Sequence, residues 1–113
     1  MTVTIYHNPR CSKSRQTLAL IEENGVTPVI VDYLTTPPTA DELRDILAKL
    51  GLTAKDITRK KEAKEEGLDL DELDNDGLIE QLALHPRAIE RPIVVNGDNA
   101  AMGRPPESVL DIL

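Results

Sequence analysis

The chain has 113 residues with 13 basic and 20 acidic side chains, a formal net charge of −7. That length suits a single hydrophobic core, which excludes a multidomain protein, and an apolar share of 40% excludes wholesale disorder. Trp and Phe are absent and only Tyr6 and Tyr33 are aromatic, so the core must be Leu, Ile, Val and Ala, with no platform for stacking nucleic-acid bases. The charge is uneven: residues 1 to 21 carry Arg10, Lys13 and Arg15 and no acid, a local charge of +3 against −10 for the rest. This balance disfavours DNA or an anionic membrane as partner and leaves an electropositive N-terminal segment suited to a small anion. No apolar run approaches the roughly 18 residues of a membrane helix, and the first residues lack the pattern of a signal peptide. The expectation is a cytoplasmic monomer with no nucleic-acid or membrane partner. A lone cysteine, Cys11, permits no internal disulfide and suits a reducing compartment.

Val3 to Tyr6 reads as a first strand ended by Asn8-Pro9, followed by a helix for which Ser12 is a plausible cap and Leu18 and Ile21 supply the apolar face. Asn24-Gly25 is a stop before the P-V-I-V-D run at 28 to 32, which completes a β-α-β unit. Thr39 and Glu42 form a capping box for a helix with Leu43, Ile46, Leu47 and Leu50 at helical spacing, ended by Gly51. Thr53 caps a shorter helical piece through about Thr58. Nine acids and one base between Glu62 and Glu80 read as a solvated helical surface. Asp74 or Asn75 then starts a helix with Leu78, Ile79 and Leu82 on one side, ending at His85-Pro86. The I-V-V run after Arg91-Pro92 is a buried strand, Asn96-Gly97 signals a hairpin, and Ala100 to Met102 return as its partner. A final helix starts at Pro105-Pro106 and packs Val109, Leu110 and Leu113. The order predicts an α/β fold, a thioredoxin-like four-stranded mixed sheet formed by one domain over residues 1–113 with a helical insertion at about 39–86.

Cys11 falls where the first strand hands over to the first helix, near free backbone N–H groups and the positive end of the helix dipole, with His7, Arg10, Lys13 and Arg15 close in sequence. A thiolate is favoured there, and the same N–H groups attract an oxyanion. A lone cysteine is otherwise a small core hydrophobe, but the setting H-N-P-R-C-S-K-S-R in a strand-to-helix loop points to a reactive thiol. His7 is read either as a structural histidine or as a group tuning Cys11, and His85 as structural. A phosphatase loop of the form C-x5-R is excluded because Thr17 stands where the arginine is needed. A C-x-x-C redox pair is excluded because Ser14 takes the second position. One cysteine and two separated histidines give no metal-ligand spacing.

Over almost its whole length the sequence resembles the glutaredoxin-linked arsenate reductases of the ArsC family. The resemblance rests on H-x3-C-x3-R at His7, Cys11 and Arg15, on Y-L-T-T-P-P-T at 33 to 39, on Arg59, on E-R-P-I-V-V at 90 to 95 and on G-R-P-P-E at 103 to 107. It implies that Arg59, Arg91 and Arg104 hold the arsenic oxyanion, with His7, Ser14, Arg15 and Pro92 in supporting places. The thioredoxin-like fold implies a cis bond before Pro92. The chain stops at Leu113 where the longest members continue, which resembles a shorter ArsC-like branch.

The expected chemistry is attack by the Cys11 thiolate on arsenate to give a covalent sulfur-arsenic(V) adduct. With no second cysteine, the electrons must come from outside thiols. The resemblance implies glutathione as co-substrate and glutaredoxin as the partner that clears the mixed disulfide, with no bound cofactor or metal. Two rivals stand beside it, a glutathione-dependent thiol transferase with no oxyanion substrate and a non-enzymatic RNA-polymerase-binding regulator.

Overall fold

Val3, Ile5 and His7 lie on one side of β1 (Val3–His7) and all three are buried, as alternation along a half-covered strand requires. The computed structural model describes residues 2–113. Its contacts divide them into two units, one running through Thr36 and resuming at Arg91–Leu113, the other Pro37–Glu90.

In the first unit, β1 has β2 (Val29–Asp32) and β3 (Ile93–Asn96) as neighbours, and β4 (Asn99–Met102) completes the order β2-β1-β3-β4. β1 runs parallel to β2, with Ile5 opposite Ile30, and antiparallel to β3, with Ile5 opposite Val94. This is the mixed, thioredoxin-like sheet expected from the element order. Helix α1 (Ser12–Glu23) connects the two parallel strands, and its Ile21 and Leu18 join Val3, Ile5, Val94 and Val109 in the core. The helix stops where expected, at Asn24, followed by Gly25 at φ +78°.

The hairpin forms where Asn96-Gly97 signals it, and three local details are fixed by the structure. The N-cap of α1 is Cys11, not Ser12: Cys11 has extended dihedrals, and its carbonyl accepts from the Arg15 N–H at 3.0 Å. The β3–β4 turn is Gly97-Asp98 between paired Asn96 and Asn99, with Gly97 at φ +61° in the first central position, the place where a two-residue hairpin accepts glycine. The final segment, Pro106–Ile112, is a 3-10 helix. A three-residue repeat puts 106, 109 and 112 on one face, so Pro106 and Val109 are buried, Ile112 packs on the core, and Leu110 is 40% exposed rather than packed. Leu113 does reach the core.

The second unit holds α2 (Ala40–Leu50), α3 (Lys60–Glu65) and α4 (Asn75–Leu84). Thr39 and Glu42 make the reciprocal capping box at 3.1 and 3.0 Å, and Gly51 ends α2 at φ +68°. Asp74 caps α4 through the Gly77 N–H at 2.7 Å. Helices α2 and α4 pack together, burying Leu43, Ile46 and Leu47 with Leu78, Ile79 and Leu82. The acidic stretch is helical only as far as Glu65, beyond which it runs through turns to α4. A short 3-10 turn, Ala54–Ile57, leads to a single antiparallel bridge between Thr58 and Ile89. No helix of the described residues is long and apolar enough to cross a membrane.

Candidate active site

The loop from β1 to α1 is built around Asn8, Cys11 and Ser14. The Asn8 carbonyl accepts the Cys11 N–H at 3.0 Å, its side-chain oxygen accepts the Arg10 N–H at 3.0 Å, and its own N–H donates to the Ser14 hydroxyl at 3.0 Å. Asn8 and Ser14 are both buried. Arg15 donates from Nη1 to the Pro9 carbonyl at 2.9 Å and so braces the same loop from outside. The loop holds the half-buried Cys11 at the start of α1.

Burial works against a thiolate at Cys11. The Ser14 N–H, the Arg91 guanidinium by hydrogen bond and by charge, and the Lys13 N–H outweigh it, and the thiol titrates below its ordinary value. His7 is not among these groups. Its Nδ1 lies 2.6 Å from the Ser14 Oγ, and burial above all, opposed by Asp32 and reinforced by Arg15, holds its pKa below the usual imidazole value. The lowered pKa favours the neutral ring, which shares this hydrogen bond with the Ser14 hydroxyl.

Two of the three arginines singled out in the sequence meet at this cysteine. Arg104 donates from Nε to the Arg91 carbonyl at 2.8 Å and places Nη2 at 3.7 Å from the Cys11 Sγ. Arg91 reaches the sulfur as described above. Both arginines precede prolines in cis peptide bonds, Arg91-Pro92 as expected and Arg104-Pro105 without prior sign in the sequence. Arg59 belongs to the second unit. There it pairs through Nε with Glu62 and through Nη1 with Glu90 at 3.0 Å, while its N–H donates to the Ala88 carbonyl at 2.7 Å. His85, at the end of α4, lies with Nδ1 3.7 Å from Glu66.

Three contributors escape a reading by sequence alone. Asn8 reads only as part of a chain-breaking Asn-Pro pair, though its buried amide organises the loop. Thr17 occupies the place that excludes a phosphatase loop; it is fully buried and donates its hydroxyl to the Lys13 carbonyl at 2.8 Å. Gly103 precedes Arg104, and its N–H donates to the Pro92 carbonyl at 2.9 Å. Among the described residues, no group of three or more His, Cys, Asp or Glu could hold a metal ion. What the cluster offers is a thiol of lowered pKa beside two guanidinium groups and the N–H groups of a helix start, an arrangement suited to a compact, multiply charged oxyanion.

Comparison with known proteins agrees with this chemistry. A family model described as the ArsC family matches residues 6–112. A Neisseria meningitidis protein named arsenate reductase is 50% identical over 98% of this chain and 97% of its own. A Haemophilus influenzae protein of the same name is 48% identical over the full length of both. The solved structure of an arsenate reductase from Vibrio cholerae superposes with a TM-score of 0.93 at 48% identity, covering 100% of this chain and 98% of that one.

Proposed function

The chain belongs to the ArsC family, and from that premise we propose that it is an arsenate reductase whose nucleophile is Cys11. The observation that carries the reading is the 3.7 Å approach of the Arg104 guanidinium to a thiol whose pKa the Ser14 N–H and the Arg91 guanidinium lower. A thiol transferase needs the thiolate but has no use for two converging arginine forks, so the cluster favours the oxyanion substrate.

In the proposed reaction the Cys11 thiolate attacks arsenic of the bound arsenate, a sulfur-arsenic bond forms, and one oxygen leaves as water after protonation. Arg91 and Arg104 neutralise charge that builds on the remaining oxygens. Glutathione then supplies the second thiol: its sulfur joins Cys11 in a mixed disulfide, the sulfur-arsenic bond breaks with its electron pair left on arsenic, and arsenite departs. Each of the two thiols gives up one electron. Glutaredoxin, attacking the glutathione sulfur, returns Cys11 to the thiolate.

The test is arsenate reduction with glutathione and glutaredoxin, each omitted in turn. Turnover should need arsenate, Cys11 and both thiol components. Release of mixed disulfides with no arsenite formed would instead establish the transferase.

A further inference from the structure

Gly103 stands where a side chain cannot. A Cβ built on it would lie 2.4 Å from the Thr17 Oγ1 and 2.5 Å from the Pro92 Cγ, with the Thr17 Cγ2 at 3.1 Å. Neither neighbour has room to yield: Thr17 and Pro92 are both fully buried, Thr17 is tied to the Lys13 carbonyl within α1, and the Pro92 ring is rigid. The backbone of 103 therefore lies directly between the helix that carries Cys11 and the proline that follows Arg91. Its N–H donates to the Pro92 carbonyl at 2.9 Å, and the next residue, Arg104, places one nitrogen on the Arg91 carbonyl and another 3.7 Å from the sulfur.

We infer that Gly103 is a positioning residue: its missing side chain lets the Arg104 segment close against Thr17 and Pro92, and this closeness sets the Arg104 fork at the Cys11 sulfur. The inference deepens the reading of the site as an oxyanion centre and rests on it only for the arsenate readout. A methyl group at 103 must push the segment away from α1 by an appreciable fraction of an ångström, and a 1 Å misplacement of a positioning group costs on the order of 100-fold in rate.

The experiment compares wild type, Gly103→Ala, Arg104→Ala and the double variant by two measurements. The first is kcat/KM for arsenate. The second needs no arsenate: the alkylation rate of Cys11 by anionic iodoacetate relative to neutral iodoacetamide, which reports the positive field at the sulfur. Gly103→Ala should lower both toward the Arg104→Ala values, and the double variant should fall no further than Arg104→Ala. Circular dichroism establishes that each variant is folded, and Gly103→Ala/Thr17→Ala, which removes one of the two obstructing side chains, should recover part of both losses. Full iodoacetate preference in folded Gly103→Ala would overturn the inference, as would additive losses in the double variant. So would failure of Gly103→Ala to fold in both Thr17 backgrounds, since the glycine would then admit the fold rather than place Arg104. If wild type reduces no arsenate while the alkylation pattern holds, the arsenate reading fails and the positioning role of Gly103 stands.

Discussion

The His7 ring and the Ser14 hydroxyl lie 2.6 Å apart inside the loop that carries Cys11, and the same hydroxyl oxygen accepts the Asn8 N–H. One buried hydroxyl thus holds the end of β1 to the loop, while the backbone N–H of the same residue supports the Cys11 sulfur. Removing the hydroxyl strands two polar groups, because water has little access to either. Ser14→Ala is expected to destabilise the fold by about 1–3 kcal/mol, the usual cost of buried groups left unsatisfied. Chemical denaturation of the variant against wild type measures it, and an unchanged midpoint would contradict the arrangement.

His7 makes stability depend on pH in a predictable direction. Its folded pKa lies below the unfolded value, chiefly through burial. The neutral ring's contribution is therefore complete above about 6.5, the unfolded value, and is lost as pH falls through the folded value. Melting temperature should drop on acidification below that point, and His7→Asn should flatten the drop. The comparison is a thermal melt series between pH 8 and pH 5; parallel curves for the two proteins would refute it.

Much of this architecture is written locally. Thr39 with Glu42, Asp74 before Asn75, and Gly51 and Gly25 after their helices mark boundaries that a reader of the sequence can place, because caps act within one turn. Three of the four strands are equally plain, being short stretches with Val and Ile between breakers, whereas β4, Asn-Ala-Ala-Met, is placed by the hairpin signal before it. What escapes is set by partners distant in the chain. Nothing around residue 103 announces that Thr17 and Pro92 will press on it, and nothing in the final segment announces that Pro106 and Val109 will be its buried residues in a 3-10 helix. The convergence of Arg91 and Arg104 on Cys11 is likewise invisible to spacing alone; the likeness to a family pointed to it. Asn8 shows a third kind of loss, since an Asn-Pro pair in a sequence marks a turn without telling whether the amide faces water or the interior.

The Cys11 thiol should titrate below the value of a free thiol, and Arg91→Ala should raise the midpoint because the Arg91 guanidinium supports the anion both by hydrogen bond and by charge. His7→Ala should leave it closer to wild type, since His7 acts on Ser14 rather than on the sulfur. Thiolate absorbance near 240 nm, followed against pH, reads the midpoint. For stability the sign is that of a depressed acid: the thiolate's contribution is present above the unfolded thiol pKa and is lost as pH falls through the folded value. A midpoint at or above about 8.5 in wild type, the ordinary thiol value, would remove the basis for a poised nucleophile.

Arg59 should behave unlike the other two arginines when replaced by alanine. Its guanidinium pairs with Glu62 and Glu90, both partly buried, so truncation removes the cation that the two carboxylates share. A loss of about 1–3 kcal/mol in stability is expected. Arg91→Ala and Arg104→Ala should keep the fold and lose about 100- to 1,000-fold in kcat, as removal of one oxyanion donor usually does. Paired melting and kinetic measurements separate the two behaviours. If Arg59→Ala melts like wild type, the ion pairs contribute nothing to the fold.

Cys11→Ser separates the binding half of the site from its chemistry. The serine hydroxyl is nearly isosteric with the thiol but stays protonated at neutral pH, so it offers no anionic nucleophile, while Arg91, Arg104 and the N–H groups of Lys13 and Ser14 remain in place. Removing the thiolate also removes a negative charge that repels an incoming oxyanion. Arsenate binding, measured by calorimetry, should therefore be retained or tightened in Cys11→Ser, and turnover should vanish. Adding Arg104→Ala to that background should weaken binding, because the fork loses its nitrogen facing the sulfur position. Cys11→Ser that binds no arsenate while Arg104→Ala still binds it would show that the sulfur, and not the arginine cluster, recruits the anion.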